Sequence, residues 1–162
     1  MTRPILAAVL TGAVLLEACQ PKAQPSAAAA APAPQAPVTP AFTVEPLVES
    51  DYSGIQGCAT VFRRAGTAPG NNLFVEDAVD TDAKGLMRID GTMVGVKLVS
   101  QTHTSKGGLR LFRSADGKLS VAENYLTGTA HEDTDSVEMS GTLTVTWNGA
   151  SQALKVDGGT AC

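Results

Sequence analysis

Apolar and polar residues alternate along much of the second half of this chain. In SVEMSGTLTVTW, Ser136 to Trp147, the positions Val137, Met139, Gly141, Leu143, Val145 and Trp147 share one parity, and the Ser, Glu and Thr residues between them share the other. A period of two with many β-branched residues predicts a strand with one apolar and one polar face. Asn148-Gly149 follows at once, a pair that accepts the positive φ angles of a tight hairpin, and SQALKVDGG returns as the last strand. Upstream, Asp90-Gly91 separates two strand-like runs in GLMRIDGTMVGVKLVS, and Ala115-Asp116-Gly117 separates two more in GLRLFRSADGKLSVAENYL. IQGCATVF and NNLFVED supply the opening strands, and no stretch of useful length carries the i, i+3, i+4, i+7 spacing of an amphipathic helix. The expected fold is all-β: a small antiparallel barrel or sandwich of about seven or eight strands over residues 41–162.

The first forty residues follow different rules. Thr2-Arg3 is a short basic start, and Ile5 to Leu16 is nearly unbroken apolar sequence. That run is shorter than the roughly 20 residues a membrane-spanning helix needs, and it has the length of a secretory signal core. It ends in Leu16, Ala18 and Cys19, an order that resembles the lipobox of bacterial lipoproteins. The resemblance implies a signal peptide over residues 1–18, diacylglyceryl transfer to the Cys19 thiol, and attachment to the membrane through that lipid. Glu17 departs from the pattern, which carries a small or apolar uncharged residue there. Gln20 in place of Asp after the cysteine implies the outer membrane, facing the periplasm or the surface. Residues 19–40 then run through Ala, Pro, Gln and Ser without periodicity, too little apolar surface to offset ordering entropy. With Pro32, Pro34 and Pro37 favouring extended geometry, such a spacer reaches about 60 Å at full stretch.

Committing Cys19 to lipid leaves Cys58 and Cys162, an even pair in an oxidising compartment, and predicts a disulfide that ties the two ends of the domain together. No C-x-x-C spacing supports a redox or metal-binding pair. From Ala41 onward ten Lys and Arg face fifteen Asp and Glu, a net charge of −5, which excludes nucleic acid and polybasic docking on anionic lipid as expected partners. A membrane-spanning barrel is also disfavoured, because the chain has only 4 Phe, 2 Tyr and 1 Trp with which to build aromatic girdles.

Catalytic motifs are sparse. His103 in SQTHTSKGG and His131 in GTAHEDTD are the titratable candidates for a general base, and both lie in polar, turn-like sequence. No G-x-S-x-G elbow, S-x-x-K site or H-E-x-x-H pair accompanies them, and SKGG lacks the leading glycine of a phosphate loop. Acidic residues cluster at Glu76, Asp77, Asp80 and Asp82, and again in HEDTD, His131 to Asp135. The first cluster is the better candidate for a hard cation such as Ca²⁺, but an EF-hand count from Asp80 puts Lys84 at a ligand position and Gly91 where the closing Glu belongs. Solvated acidic loops are the expectation, with no cofactor and no metal.

A lipid-tethered, disulfide-closed β-domain is similar in outline to the small lipoprotein lysozyme inhibitors. The S-G-x-x-Y loop of that class is not found: Ser53-Gly54 lacks the tyrosine, and Ser140-Gly141 lies within a strand pattern. The domain more nearly resembles the small uncharacterised envelope lipoproteins of Gram-negative bacteria. The expectation is a non-enzymatic envelope protein that binds a protein, glycan or small ligand. The alternatives are a periplasmic hydrolase using a loop histidine, or a purely structural, stress-related envelope protein.

Overall fold

The computed structural model describes residues 41–79 and 81–162; the segments expected to be a signal peptide and a linker, with Cys19 between them, lie outside the described residues. Nine strands form one antiparallel sheet. They are β1 (Val44–Glu45), β2 (Ala59–Arg64), β3 (Asn72–Asp77), β4 (Lys84–Ile89), β5 (Thr92–Thr104), β6 (Gly107–Ser114), β7 (Leu119–His131), β8 (Ser136–Trp147) and β9 (Ala150–Ala161). From β2 to β9 each strand pairs with the next in sequence, and β9 pairs back onto β2, so eight strands close into an up-and-down barrel. Of the two architectures expected, the barrel is the one adopted.

Local chemistry accounts for the hairpins. Asp90-Gly91 and Asn148-Gly149 both hold positive φ at two successive residues (47° and 77°; 49° and 86°), the backbone that lets a two-residue turn follow the twist of its strands. Strand β8 spans Ser136–Trp147, and its apolar parity faces the interior, where Leu143 and Val145 are fully buried. At eight strands a barrel is just wide enough for its own side chains. Phe62, Phe74, Met87, Phe112, Leu119 and Leu143 fill it, with Phe74 and Phe112 edge to face at 5.3 Å between ring centres. Gly85 makes room for this packing, because a Cβ there would collide with the Phe74 ring.

The segment before β2 carries structure that periodicity did not reveal. β1 pairs with the end of β4, Val44 opposite Ile89, and Leu47 bridges to Asn72 on β3, so the segment spans the gap where β3 and β4 diverge. Phe42 closes that end of the core, its carbonyl accepting a hydrogen bond from Gln152 Nε2 at 3.2 Å. A single 3-10 turn, Glu49–Asp51, then crosses to the outside of the barrel. Arg88 Nη2 donates to both oxygens of Asp51 (2.7 and 2.8 Å), and Asn72 Nδ2 donates to Tyr52 Oη at 3.3 Å, pinning this strap over β3 and β4. The guanidinium, helped by the Val48 N–H, holds the Asp51 carboxyl below its ordinary range.

The seam between first and last barrel strands runs from Arg64 opposite Val156 to Ala59 opposite Ala161. Cys58 and Cys162 are bonded one residue beyond, at the end of that ladder. The expected disulfide therefore locks the pairing that closes the barrel.

Candidate functional site

Charged side chains cross the inside of the barrel near the disulfide end. Thr60, Glu76, Arg110 and Glu123 occupy the same inward parity as Phe62, Phe74, Phe112 and Val121, one step further along their strands. Arg110 Nη1 donates to Glu76 Oε1 at 2.5 Å, Nη2 donates to the Val79 carbonyl at 2.9 Å, and the guanidinium lies 5.2 Å from the centre of the Phe112 ring. Glu123, on β7, sits directly opposite Arg110 on β6 and directly opposite Leu143 on β8, fully buried. Among the described residues neither of its oxygens meets a hydrogen-bond partner.

Two carboxyl groups thus share one cation. Burial pushes Glu76 up to about 9, with the neighbouring Glu123 adding to the rise and Arg110 opposing it. Burial likewise pushes Glu123 up to about 8 against the pull of Arg110. One positive charge balances one carboxylate, so near neutrality the other keeps its proton, and the two titrate as a pair. The direct bond to Arg110 favours the anion on Glu76, and the unbonded oxygens of Glu123 favour the neutral acid there.

The acidic cluster proposed for a cation is split by the strand pleat. Glu76 points into the barrel, whereas Asp77, next to it on β3, points outward and accepts the Lys84 backbone N–H at 2.5 Å. Adjacent residues of a strand face opposite sides of the sheet, so these two carboxylates do not converge. Asp82 is exposed in the loop and Asp80 lies outside the described residues. Among the described residues no group of three His, Cys, Asp or Glu side chains could hold a metal ion.

The histidines stand on separate hairpins. His103, exposed on β5, borders a shallow depression of about 340 Å³. His131, exposed at the end of β7, has Nε2 3.3 Å from Glu138 Oε1 and lies opposite Ser136 in the ladder. A hydroxyl, an imidazole and a carboxylate therefore neighbour one another, but the Ser136 hydroxyl is engaged with Thr134 Oγ1 at 2.7 Å. The base–nucleophile contact that hydroxyl activation requires is not made.

A sizeable concavity lies on the outside of the barrel. A groove of about 570 Å³ runs between the strap at Gly54–Gln56 and the outer faces of β4, β5 and β6. Leu86, Gly95 and Ile55 contribute its apolar surface, and Lys84, Lys97 and Arg113 line it as well. The ladder places Lys84 opposite Lys97, and Lys97 opposite Arg113, on the solvent side. Period-two reading could assign each of these to an outward face; only the register of three strands sets them abreast.

Comparison with known proteins returns no matching family model, no matching curated protein and no matching solved structure.

Proposed function

We propose that this protein is a non-enzymatic envelope lipoprotein, held to the outer membrane by lipid on Cys19, whose barrel binds a ligand in the groove beside the strap. The groove is the observation that carries this reading. Its volume of about 570 Å³ falls in the range of small-molecule sites, roughly 300–1,000 Å³, and it joins an apolar floor to a few polar groups. The barrel's interior is filled by its own side chains, which leaves the outer face as the place for recognition. That outer face is polar at Asn124, Thr144, Ser151 and Lys155, the reverse of a membrane-spanning barrel with its apolar outer band. The exposed, separate histidines give the hydrolase alternative nothing to build on beyond the His131–Glu138 contact.

Two measurements test the reading. Mass spectrometry of envelope protein is expected to find acylated Cys19 as the mature N-terminus, and Cys19→Ser is expected to move the protein out of the membrane fraction. The full chain incubated with envelope extract is expected to retain a small molecule that a groove-filling Gly95→Leu variant does not. Unmodified Cys19 in the membrane fraction would remove the anchor, and identical retention by both forms would remove the groove.

A further inference from the structure

Three cations abreast are an anomaly in this molecule. Like charges directly opposite one another on neighbouring strands destabilise a sheet. Here Lys84, Lys97 and Arg113 occupy three consecutive strands in register, on a domain whose net charge is −5. Acidic residues are plentiful, and the ion pairs that form elsewhere, Arg88–Asp51, Arg110–Glu76, Lys118–Asp116 and His131–Glu138, leave all three cations out among the described residues. The one carboxylate in the groove, Asp77, accepts a backbone N–H from Lys84. With neighbouring strands about 4.8 Å apart, the row spans roughly 10 Å of focused positive potential. Beside it the floor is open and apolar: Gly95 faces Leu86, and a Cβ at Gly95 would meet only Leu86 Cδ2, at 4.0 Å. A side chain there would cost the fold little, so its lack leaves space for something else.

Resting on the reading of the groove as a ligand site, we infer that its ligand is a single small amphiphile with an oxyanion head, phosphate or carboxylate, and an apolar body. The head lies on the Lys84–Lys97–Arg113 row, where the arginine fork suits two oxyanion oxygens. The body lies along Gly95 and Leu86 under the Ile55 wall. The occupant is one dispersed molecule rather than a bilayer surface, because the groove is walled on the strap side and the domain's overall negative charge opposes an anionic membrane.

The test is calorimetric titration of the full chain with dodecyl phosphate below its micellar concentration. Inorganic phosphate, dodecyl maltoside and vesicles containing anionic lipid serve as separate arms. Dodecyl phosphate is expected to bind at least tenfold more tightly than inorganic phosphate or dodecyl maltoside. Lys97→Glu is expected to weaken it tenfold or more and Gly95→Leu fivefold or more. Lys155→Glu makes the same change in net charge from β9, across the barrel, and is expected to change binding less than twofold. Lys97→Glu also relieves the repulsion with its two neighbours, so its Tm is expected to hold or rise while binding falls, which a merely structural lysine would not do. Equal loss in Lys97→Glu and Lys155→Glu, equal binding of dodecyl maltoside, or binding to vesicles alone would each overturn the inference. If dodecyl phosphate fails while an envelope molecule is still retained by the full chain and lost from Gly95→Leu, the ligand class falls and the groove stands. If neither is retained, both fall.

Discussion

Toward the Asp90-Gly91 and Asn148-Gly149 turns, the barrel interior is filled by Phe62, Met87, Leu119 and Val145; toward the Cys58–Cys162 bond it is crossed by Glu76, Arg110 and Glu123. Both fillings occupy inward-facing positions of the barrel strands, and both are shielded from water. They hold together differently. Apolar burial is non-directional and scales with area, so each side chain contributes nearly independently of its neighbours' identity. The charged layer is directional and mutually dependent: Arg110 is tolerable because Glu76 accepts from it, and both acids are tolerable because Arg110 stands between them. The first end sets how stable the barrel is; the second sets how its stability responds to pH.

Removing the cation is the harshest way to break the comparison. Arg110→Met leaves Glu76 and Glu123 buried without a counter-charge, and a loss of about 3–5 kcal/mol is expected from urea unfolding at pH 7. The loss is expected to shrink at pH 5, close to the ordinary value of 4.5, where keeping both buried acids protonated costs little relative to the unfolded chain. Replacing the whole layer (Glu76→Met, Arg110→Met and Glu123→Leu together) is expected to restore most of the stability, since a packed apolar filling of similar volume often matches a buried ion set. A triple variant as unstable as Arg110→Met would show that the layer is irreplaceable for packing rather than for charge.

The disulfide comes next. Cys58→Ala with Cys162→Ala frees a loop of 104 residues in sequence separation, and a loss of about 4 kcal/mol is expected from the loop entropy of the unfolded chain. Because the bond lies at the charged end of the β2–β9 seam, amide exchange is expected to quicken most at Ala59–Val61 and Gly159–Ala161, and least beside the Asn148-Gly149 turn. Uniform acceleration along both strands would mean that the two ends are not separable units. At the apolar end Leu119→Ala is expected to cost about 3 kcal/mol, within the usual range for a fully buried leucine, and the same amount at pH 5 and pH 9. A cost that changed with pH would tie this residue to the charged layer.

Much of the apolar end was legible in the sequence, because hairpin pairs and period-two runs are local signals. The alternation of Val137 to Trp147 and the Asn148-Gly149 pair map directly onto β8 and its turn. Closure was not legible, since it depends on β2 meeting β9 about a hundred residues later, and no local pattern separates a closed barrel from a sandwich. The strap was missed because two paired residues and one 3-10 turn are too short to show a period. The charged layer left a signal that composition obscured. In LSVAENYL, Glu123 shares its parity with Leu119, Val121 and Tyr125, and in NNLFVED, Glu76 shares its parity with Phe74. A charge on the apolar parity of a strand marks a buried group; grouping Glu76 with Asp77, Asp80 and Asp82 as a loop cluster treated neighbours in sequence as neighbours in space. The cationic row left no such trace, because Lys84, Lys97 and Arg113 meet only through the register of β4, β5 and β6.

Glu123→Gln is the smallest change in shape among these variants, and it probes the link between charge and stability most directly. In the folded chain burial holds the one proton of the pair on Glu123 up to about 8, whereas the unfolded chain releases it near 4.5. Between those limits the folded state binds more protons than the unfolded one, so unfolding becomes easier as pH rises. The stabilisation is complete below about 4.5 and is lost as pH climbs to the folded value of about 8. The loss is on the order of a few kcal/mol, since each unit of pKa displacement is worth about 1.4 kcal/mol. Glutamine keeps the shape of the neutral acid and cannot ionise, and it leaves Arg110 to Glu76 alone, which lets that carboxylate ionise at lower pH. The variant is therefore expected to match the parent near pH 5, to exceed it at pH 9, and to flatten the curve of urea midpoint against pH. Parallel curves for the two proteins would mean that Glu123 reaches water in the folded state and that the two ends of the barrel do not differ in kind.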